Sequence, residues 1–194
     1  MKEILFFFSN NKNKIAEIKK IFNRSEIKIL SSIDLNINNE PKESGQSFEE
    51  NAKIKSDYGF KKTGIPCFAD DSGICIESLN WKPSVFSKRY LNSFKSNEDC
   101  FRSIIKSTKS SGKQNAYFKT SISLTIKMDQ NIVFNGKIDG KISNQIKGDF
   151  GFGYDPIFIP ECYKKTLAEL STKEKNRISH RSIAVTKLIN FYSN

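Results

Sequence analysis

Two adjacent acids, Asp70 and Asp71, interrupt an otherwise apolar stretch, CFADDSGIC, at residues 67–75. An ionised carboxylate is costly to bury unless it is paired with a cation, hydrogen-bonded or bound to a metal. The two acids therefore either cap a turn or lie at the floor of a site. Successive residues of a strand point to opposite faces, but at a strand end, before Ser72 and Gly73, one acid can face a cleft. Hard carboxylate oxygens suit Mg²⁺, which binds a few carboxylates together with substrate phosphates.

A second group of polar residues, SNNKNK at 9–14, follows a predicted strand and begins a predicted helix. The first N–H groups of a helix have no partner within it, and together with the helix dipole they attract anions. Lys14 adds a positive charge to this junction. The stretch therefore predicts a binding place for phosphate, with an ordinary Asn-rich helix cap as the alternative.

A third group lies in KESGQSFEENAKIK, residues 42–55. Glu43 belongs to a predicted loop, whereas Asn51 and Lys55 are one helical turn apart and share a face. These side chains either point into a site or form the outer face of an amphipathic helix that is exposed to solvent.

A fourth group begins with GDFGFGYDPIF at 148–158 and continues through KEKN and SHR. Glycines on both sides of Phe152 would let a flat ring lie on its aromatic face, and a packed turn is the alternative. His180 and Arg181 lie at a predicted helix N-terminus, with Lys175 just before it. Lysines and a helix N-terminus suit a polyphosphate, carboxylates suit Mg²⁺, and an aromatic ring with arginine suits a base. A nucleoside triphosphate meets all of these requirements.

These groups must be positioned by a mixed α/β framework with a hairpin-rich second half. Hydrophobic periodicity, turn residues and capping residues predict its elements. The predicted strands cover 3–9, 26–31, 67–79 with a loosened end at Ser72 and Gly73, 115–128, 131–142 and 154–160. The predicted helices begin at Asn11, Ser47, Ser96 and Ser179, and Ser171 and Glu174 cap a short helical turn.

Length and composition narrow the class of protein. The 194 residues, 37% of them hydrophobic, suffice for one core or two closely packed lobes. The apolar stretches are too short to span a bilayer, and the N-terminus resembles a buried strand more than a signal peptide. Four cysteines without a CxxC pair, and one histidine, argue against zinc and disulfides and for a cytoplasmic protein. The net charge of +11 is spread along the chain, so no specific nucleic acid and no membrane partner are expected.

Four motifs, SFEENAKIKS, ADDSGICIESLN, GFGYDPIF and EKNRISHR, resemble those of the inosine triphosphate pyrophosphatase family, and the match runs in order from Ser9 to Arg181. The resemblance implies one domain over residues 1–194, with an elongated central mixed sheet, flanking helices, and two lobes around an active-site cleft. It implies a homodimer that uses Mg²⁺ to hydrolyse ITP, dITP and XTP to the monophosphate and pyrophosphate, and so removes deaminated purines from the nucleotide pool.

The resemblance also implies roles for individual residues. Asp71 falls on the family's base and metal ligand, and Glu43 falls on a second metal ligand. The implied substrate contacts are Ser9, Asn10, Asn11, Lys12, Asn13, Lys14, Lys55, Ser72, Phe152, Gly153, Tyr154, Asp155, Lys175, His180 and Arg181. The sequence departs from the family at Ser9-Asn10-Asn11, where members commonly read Thr-Gly-Asn, and at Trp81 and Ser84, which replace glycines and change the shape of that loop.

In the expected reaction, water oriented by Asp71 attacks the α-phosphorus, and pyrophosphate leaves with Mg²⁺. Lys14 and Lys55 neutralise phosphate charge. Arg181 or a nearby backbone N–H donates a hydrogen bond to the 6-oxo group, which a 6-amino group cannot accept. The competing interpretations are a pyrophosphatase with another base preference, an inactive nucleotide-binding protein and a nucleic-acid-binding module.

Overall fold

The structure, a computed structural model, describes residues 3–23 and 25–193. Within these residues the chain forms seven strands and six α-helices. In chain order they are β1 (Ile4–Phe7), α1 (Lys12–Phe22), β2 (Lys28–Ser31), α2 (Phe48–Thr63), β3 (Cys67–Ile76), β4 (Lys82–Pro83), α3 (Ser87–Asn92), α4 (Asn97–Ser111), β5 (Asn115–Lys127), β6 (Gln130–Ile142), β7 (Phe158–Pro160), α5 (Thr172–Ile178) and α6 (His180–Ser193).

The strands form one sheet in the order β2-β1-β3-β5-β6-β7, and β4 pairs with β3 outside this path. β1 is parallel to β2, with Ile4 opposite Lys28, and parallel to β3, with Phe6 opposite Cys67. β4 is antiparallel to β3, and β7 is antiparallel to β6. The sheet is therefore mixed and has flanking helices, which confirms the predicted fold class. No helix in the described ranges 3–23 and 25–193 is long and apolar enough to cross a membrane.

The described residues divide into two compact units. The first comprises residues up to Asp71, Thr120–Gly136 and those from Arg181 onward. The second comprises Ser72–Lys119 and Lys137–His180. Three strands, β3, β5 and β6, contribute residues to both units.

The apolar run of β1 has a simple explanation in the core of the first unit. Leu5 and Phe7 pack in one cluster with apolar residues of α1 and α6, whereas Phe6 and Phe8 pack in another cluster with Cys67 and neighbours from α2. A strand covered on both faces needs no polar alternation. The second unit has its own core, formed by buried residues of β3, α4, β5, β7 and the segment around Tyr154 and Leu167.

Two predicted strand segments are wrong. The strand predicted to reach residue 79 ends at Ile76, and Glu77–Leu79 form a 3₁₀ turn that Asn80 closes in a left-handed conformation. The strand predicted over 154–160 begins only at Phe158, because Asp155–Ile157 form another 3₁₀ turn. Pro156 lies in that turn and cannot donate a backbone hydrogen bond to a neighbouring strand. Helix α3 was not predicted, since its six residues are too few to show a helical period.

Gly59 allows α2 to lie close to the sheet, and this contact can be tested. A Cβ at this position would lie 3.1 Å from Phe6 Cε1 and 3.1 Å from Phe8 Cβ, and it would overlap Cys67 Sγ. Alanine is intrinsically the better helix former, but overpacking a core costs about 1–3 kcal/mol. We expect Gly59→Ala to lower the free energy of unfolding in urea, and to cost much less in a Cys67→Ala background. A Gly59→Ala protein as stable as the wild type would contradict this packing.

Candidate functional site

Side chains along β3 alternate between its two faces, and this places the two adjacent acids on opposite sides of the strand. Phe68 packs in the cluster formed with α1 and α6, whereas Cys67 and Ala69 pack in the cluster on the α2 side. Asp70 therefore lies on the side of α1 and α6, and Asp71 lies on the side of α2. The predicted opposition of the two acids is confirmed. The predicted loosening of the strand at Ser72 and Gly73 is wrong, because β3 runs without interruption from Cys67 to Ile76.

Asp70 is held by two cations. Lys14 Nζ lies 3.1 Å from Asp70 Oδ1, and Arg181 Nε lies 3.1 Å from Asp70 Oδ2. Arg181 also donates through Nη1 to Glu17 Oε2 of α1. Burial favours the neutral acid, but Lys14 and Arg181 outweigh it and hold the pKa of Asp70 well below its usual range. Asp70 is therefore a permanently ionised anchor for these two cations.

Asp71 has different partners. Asn51 Nδ2 donates to Asp71 Oδ2 at 3.1 Å, and Lys55 Nζ lies 3.6 Å from Asp71 Oδ1. Asn51 is only 2% exposed. The prediction that Asn51 and Lys55 point inward is therefore confirmed, and the alternative, in which this face of the helix is exposed to solvent, is wrong. Burial raises the pKa of Asp71, and the nearby Lys55 and Lys14 offset only part of that rise. Two neighbouring carboxyl groups whose pKa values are shifted in opposite directions are typical of sites in which one of them acts as a catalytic acid or base.

A cation already lies between the two carboxylates expected to bind metal. Lys55 Nζ is 2.7 Å from Glu43 Oε1 and 3.6 Å from Asp71 Oδ1. Burial lowers the pKa of Lys55, but Asp71 and Glu43 outweigh it and raise the pKa overall. In the described part of the chain, no three His, Cys, Asp or Glu side chains are arranged to hold a metal by themselves. Two carboxylates completed by substrate phosphates are a set that Mg²⁺ accepts, so the residues fit this ion.

The segment 9–14 joins β1 to α1, as predicted. Asn11 caps the helix, because its side chain accepts hydrogen bonds from the backbone N–H groups of Asn13 and Lys14 at 3.0 and 3.2 Å. Ser9 Oγ accepts from the Asn11 N–H, and the Asn10 side chain donates to the Asn38 carbonyl. The segment is therefore a helix cap, and its loop is fixed by hydrogen bonds within the segment and by one to the distant residue Asn38. Its Lys12 and Asn13 are exposed to solvent.

Burial lowers the pKa of Lys14, and Lys55 and Arg181 lower it further, against the effect of Asp70. Lys14 and Lys55 thus lie in one electrostatic group with the two acids. An added anion would stabilise the charged form of both lysines. This part of the first unit is suited to bind phosphate.

In the second unit, Asp155 organises the glycine-rich loop. Its Oδ2 accepts from the Phe152 N–H at 2.8 Å and from Lys175 Nζ at 2.6 Å. The Lys175 ammonium also lies 4.7 Å from the centre of the Phe152 ring. The structure thus brings together the predicted residues Phe152, Asp155 and Lys175, and Gly153 lies between the first two with a positive φ of 63°. Ser72 lies on β3 and is half-buried.

Three other predicted residues are committed to contacts within the protein. The Tyr154 hydroxyl donates to the Ser87 carbonyl at 2.7 Å, and the side chain is buried. The His180 ring stacks on Phe118. Arg181 is bound to Glu17 and Asp70. The substrate contacts assigned to these three residues stay predictions.

Gly151 is required by the geometry of the same loop. Its φ is +83°, and an added Cβ would overlap Asp155 Oδ2 and lie 3.0 Å from Asp155 Cγ. We expect Gly151→Ala to break the hydrogen bonds of Asp155 and to raise the KM for a nucleotide substrate about tenfold. Gly112→Ala is the matched control, because Gly112 has a φ of +70° and an added Cβ there meets nothing within 4 Å. Equal KM values for the two variants would contradict the role of this clash.

Sequence reasoning missed three residues that fix the site. Glu17 binds Arg181, Ser87 accepts from Tyr154, and Phe118 packs on His180. A signal existed for Glu17, because it lies three residues after Lys14 on α1 and so shares its face. The partners of Tyr154 and His180 are distant in sequence and depend on the tertiary fold.

The protein is of the α/β class, and its first unit holds lysines, carboxylates and a capped helix, the groups that a phosphorylated ligand and a cation would require. The model of the Ham1 family matches residues 5–191, and the chain belongs to this family. It is 40% identical to the dITP/XTP pyrophosphatase of Christiangramia forsetii over 97% of this chain and 98% of that protein, and 34% identical to that of Bacillus subtilis over 97% and 96%. The HAM1 protein from Coxiella burnetii has a similar structure, with a TM-score of 0.87, 32% identity and 98% of both chains covered. The family resemblance drawn from the motifs is confirmed.

Proposed function

We propose that this chain is a nucleoside triphosphate pyrophosphatase that hydrolyses dITP, ITP and XTP to the monophosphate and pyrophosphate. The observation that carries the proposal is that the adjacent acids Asp70 and Asp71 have different partners and opposite pKa shifts. One acid is locked in an ion-pair network, whereas the other has a raised pKa beside Lys55. Relatives named dITP/XTP pyrophosphatase support the substrate class.

Asp71 is the proposed catalytic base. Its raised pKa makes the carboxylate a better proton acceptor than an ordinary Asp, and Asn51 holds its Oδ2 in place at 3.1 Å. In the proposed reaction Asp71 orients a water molecule and takes its proton as the oxygen bonds to the α-phosphorus. The bond between the α-phosphorus and the bridging oxygen breaks, and pyrophosphate leaves. General-base assistance of this kind contributes about 10²–10⁴-fold in rate.

Glu43 and Asp71 are the proposed ligands of Mg²⁺. When bound, the ion would neutralise phosphate charge and acidify a water molecule. The Lys55 ammonium lies 2.7 Å from Glu43 and also contacts Asp71. Its positive charge is therefore beside the two carboxylates that are proposed to bind Mg²⁺. Lys55 is therefore expected to turn from Glu43 towards the phosphates when the metal and nucleotide bind.

Lys14, Lys55 and the segment 9–14 are proposed to bind the triphosphate. Lys14 is fixed by Asp70, so its charge is positioned before the substrate arrives. Ser9, Asn10 and Asn11 hold the loop in shape through hydrogen bonds. In the second unit, Phe152 supplies a ring face for the purine, and Asp155 fixes both this loop and Lys175. His180 is the proposed reader of the base.

The assay that tests the proposal measures pyrophosphate release with Mg²⁺ from dITP, ITP, XTP, GTP and ATP. Rapid release from the first three, and slow release from GTP and ATP, is expected. Reaction in ¹⁸O-labelled water should place the label in the monophosphate, since the α-phosphorus is attacked. Label in pyrophosphate, or release of inorganic phosphate, would overturn the proposed chemistry. Equal rates for all five would overturn only the base selectivity.

The cellular setting and assembly form a separate part of the proposal. We infer a cytoplasmic enzyme from a chain whose cysteines Cys67, Cys75 and Cys100 are buried thiols. A homodimer is proposed from the family resemblance. Sedimentation equilibrium at micromolar concentration should give twice the chain mass of 22.2 kDa, and a mass of one chain would contradict this assembly.

A further inference from the structure

A stacked pair of rings supports the only histidine of the sequence. Phe118 of β5 and His180 at the start of α6 have ring centres 4.7 Å apart and planes only 8° from parallel. Both side chains are buried and both belong to the second unit. The imidazole ring therefore lies parallel to the phenyl ring. The nitrogen atoms on its edge do not point at the phenyl ring.

Phe118 is itself held from another direction. The Phe158 ring meets it nearly edge-on, with centres 4.8 Å apart and planes at 67°. Phe158 is completely buried on β7, and Phe118 is part of the long strand β5. Aromatic contacts of these kinds are directional and add stability beyond simple burial. The phenyl ring is thus a fixed surface on which the imidazole has one preferred plane.

We propose that Phe118 is a positioning residue for recognition of the purine base. By holding the plane of His180, it aims the hydrogen-bonding edge of the imidazole at the base. This inference rests on the proposed function, in which His180 reads the base. A directional hydrogen bond requires the donor or acceptor to be held within about 10–20° of the productive geometry. A leucine in place of Phe118 would keep an apolar side chain there but would remove the flat ring that sets the plane of the imidazole.

The first arm of the test is spectroscopic and needs no substrate. Because His180 is the only histidine, the imidazole C–H resonances of the intact protein come from one side chain, apart from any purification tag, which must be removed. Protons over the face of the Phe118 ring are shielded, so Phe118→Leu should move a His180 resonance downfield. Phe118→Tyr, which keeps the ring, should leave it close to the wild-type position.

The matched control is Phe134→Leu. Phe134 is a buried phenylalanine of the first unit that packs on Phe191. The substitution removes the same group and should lower stability to a similar degree, but it leaves Phe118 intact. The His180 resonances should therefore not move. Unchanged His180 resonances in Phe118→Leu would overturn the stack.

The second arm is kinetic. We expect Phe118→Leu to raise the KM for ITP about tenfold, the loss that a weakened hydrogen bond to the base would cause. We expect little change in kcat and a reduced preference for ITP over ATP. Phe118→Tyr should restore both quantities, and Phe134→Leu should preserve the preference. A wild-type preference in Phe118→Leu would overturn the inference while leaving the proposed function intact. If the wild-type protein releases no pyrophosphate from ITP, the proposed function is wrong, and the inference about base recognition is wrong with it. The spectroscopic arm would still test the stack of Phe118 and His180.

Discussion

Replacement of Asp71 by asparagine is expected to reduce the turnover of ITP by at least about 10²–10⁴-fold. The carboxylate lies between Asn51 and Lys55, and burial raises its pKa. Asparagine has the same size and can accept the hydrogen bond from Asn51, but it cannot take a proton from water. It also weakens the proposed Mg²⁺ site. Steady-state kinetics at saturating ITP measure the effect, which should lie mainly in kcat.

The variant Asp70→Asn is the matched control for this prediction. It makes the same substitution one residue earlier on the same strand, but it removes the anion that Lys14 and Arg181 share. Loss of one partner from a buried ion pair leaves a charge uncompensated and lowers stability. We therefore expect Asp70→Asn to lower the Tm, and Asp71→Asn to keep it, since burial already penalises the charged form of Asp71. An Asp71→Asn protein with unchanged turnover would overturn its assignment as the base.

The sequence predicts that the two acids have polar or charged partners, and the family resemblance predicts that Asp71 is the base; the ion pairs of Asp70 were not predicted. An acid pair within an apolar run signals a paired or functional carboxylate, and strand alternation places the two acids on opposite faces. The partners that set their pKa values come from α1, α2 and α6. The predicted break at Ser72 and Gly73 was wrong because these residues are local turn signals, whereas pairing of β3 with its neighbours in the sheet keeps the strand extended.

Local sequence patterns predicted a residue's interaction partner correctly where that partner is close in sequence. The capping box of Ser171 and Glu174 forms as predicted, and the face shared by Asn51 and Lys55 follows from helix geometry alone. The ion pair between Arg181 and Glu17 joins residues 164 positions apart. No periodicity within either helix identifies such a partner. The sequence thus predicts partners that are close along the chain, whereas partners that are distant along the chain depend on the tertiary fold.

Arg181 illustrates this difference, and its replacement gives the second large expected effect. The sequence suggests a donor for the base, but the guanidinium is only 2% exposed and is bound to Asp70 and Glu17. Burial lowers the pKa of Arg181, but the two acids outweigh it and raise the pKa overall. Arg181→Met would fill similar space without the charge. Removal of one partner from a buried ion pair costs about 3–5 kcal/mol, which we expect as a loss in the free energy of unfolding in urea.

Two further variants separate an anchoring role of Arg181 from a role in base recognition. Arg181→Lys keeps the positive charge but lacks the planar fork that reaches two carboxylates at once, so its stability should lie between those of the wild type and Arg181→Met. Glu17→Gln combined with Arg181→Met should recover part of the loss, because it also removes one of the two buried acids. If Arg181 acts mainly on the base, Arg181→Met will instead keep wild-type stability and lose only the preference for ITP over ATP. The buried pairs with Asp70 and Glu17 favour the loss of stability, because the guanidinium cannot turn towards a substrate without giving up its bonds to both acids.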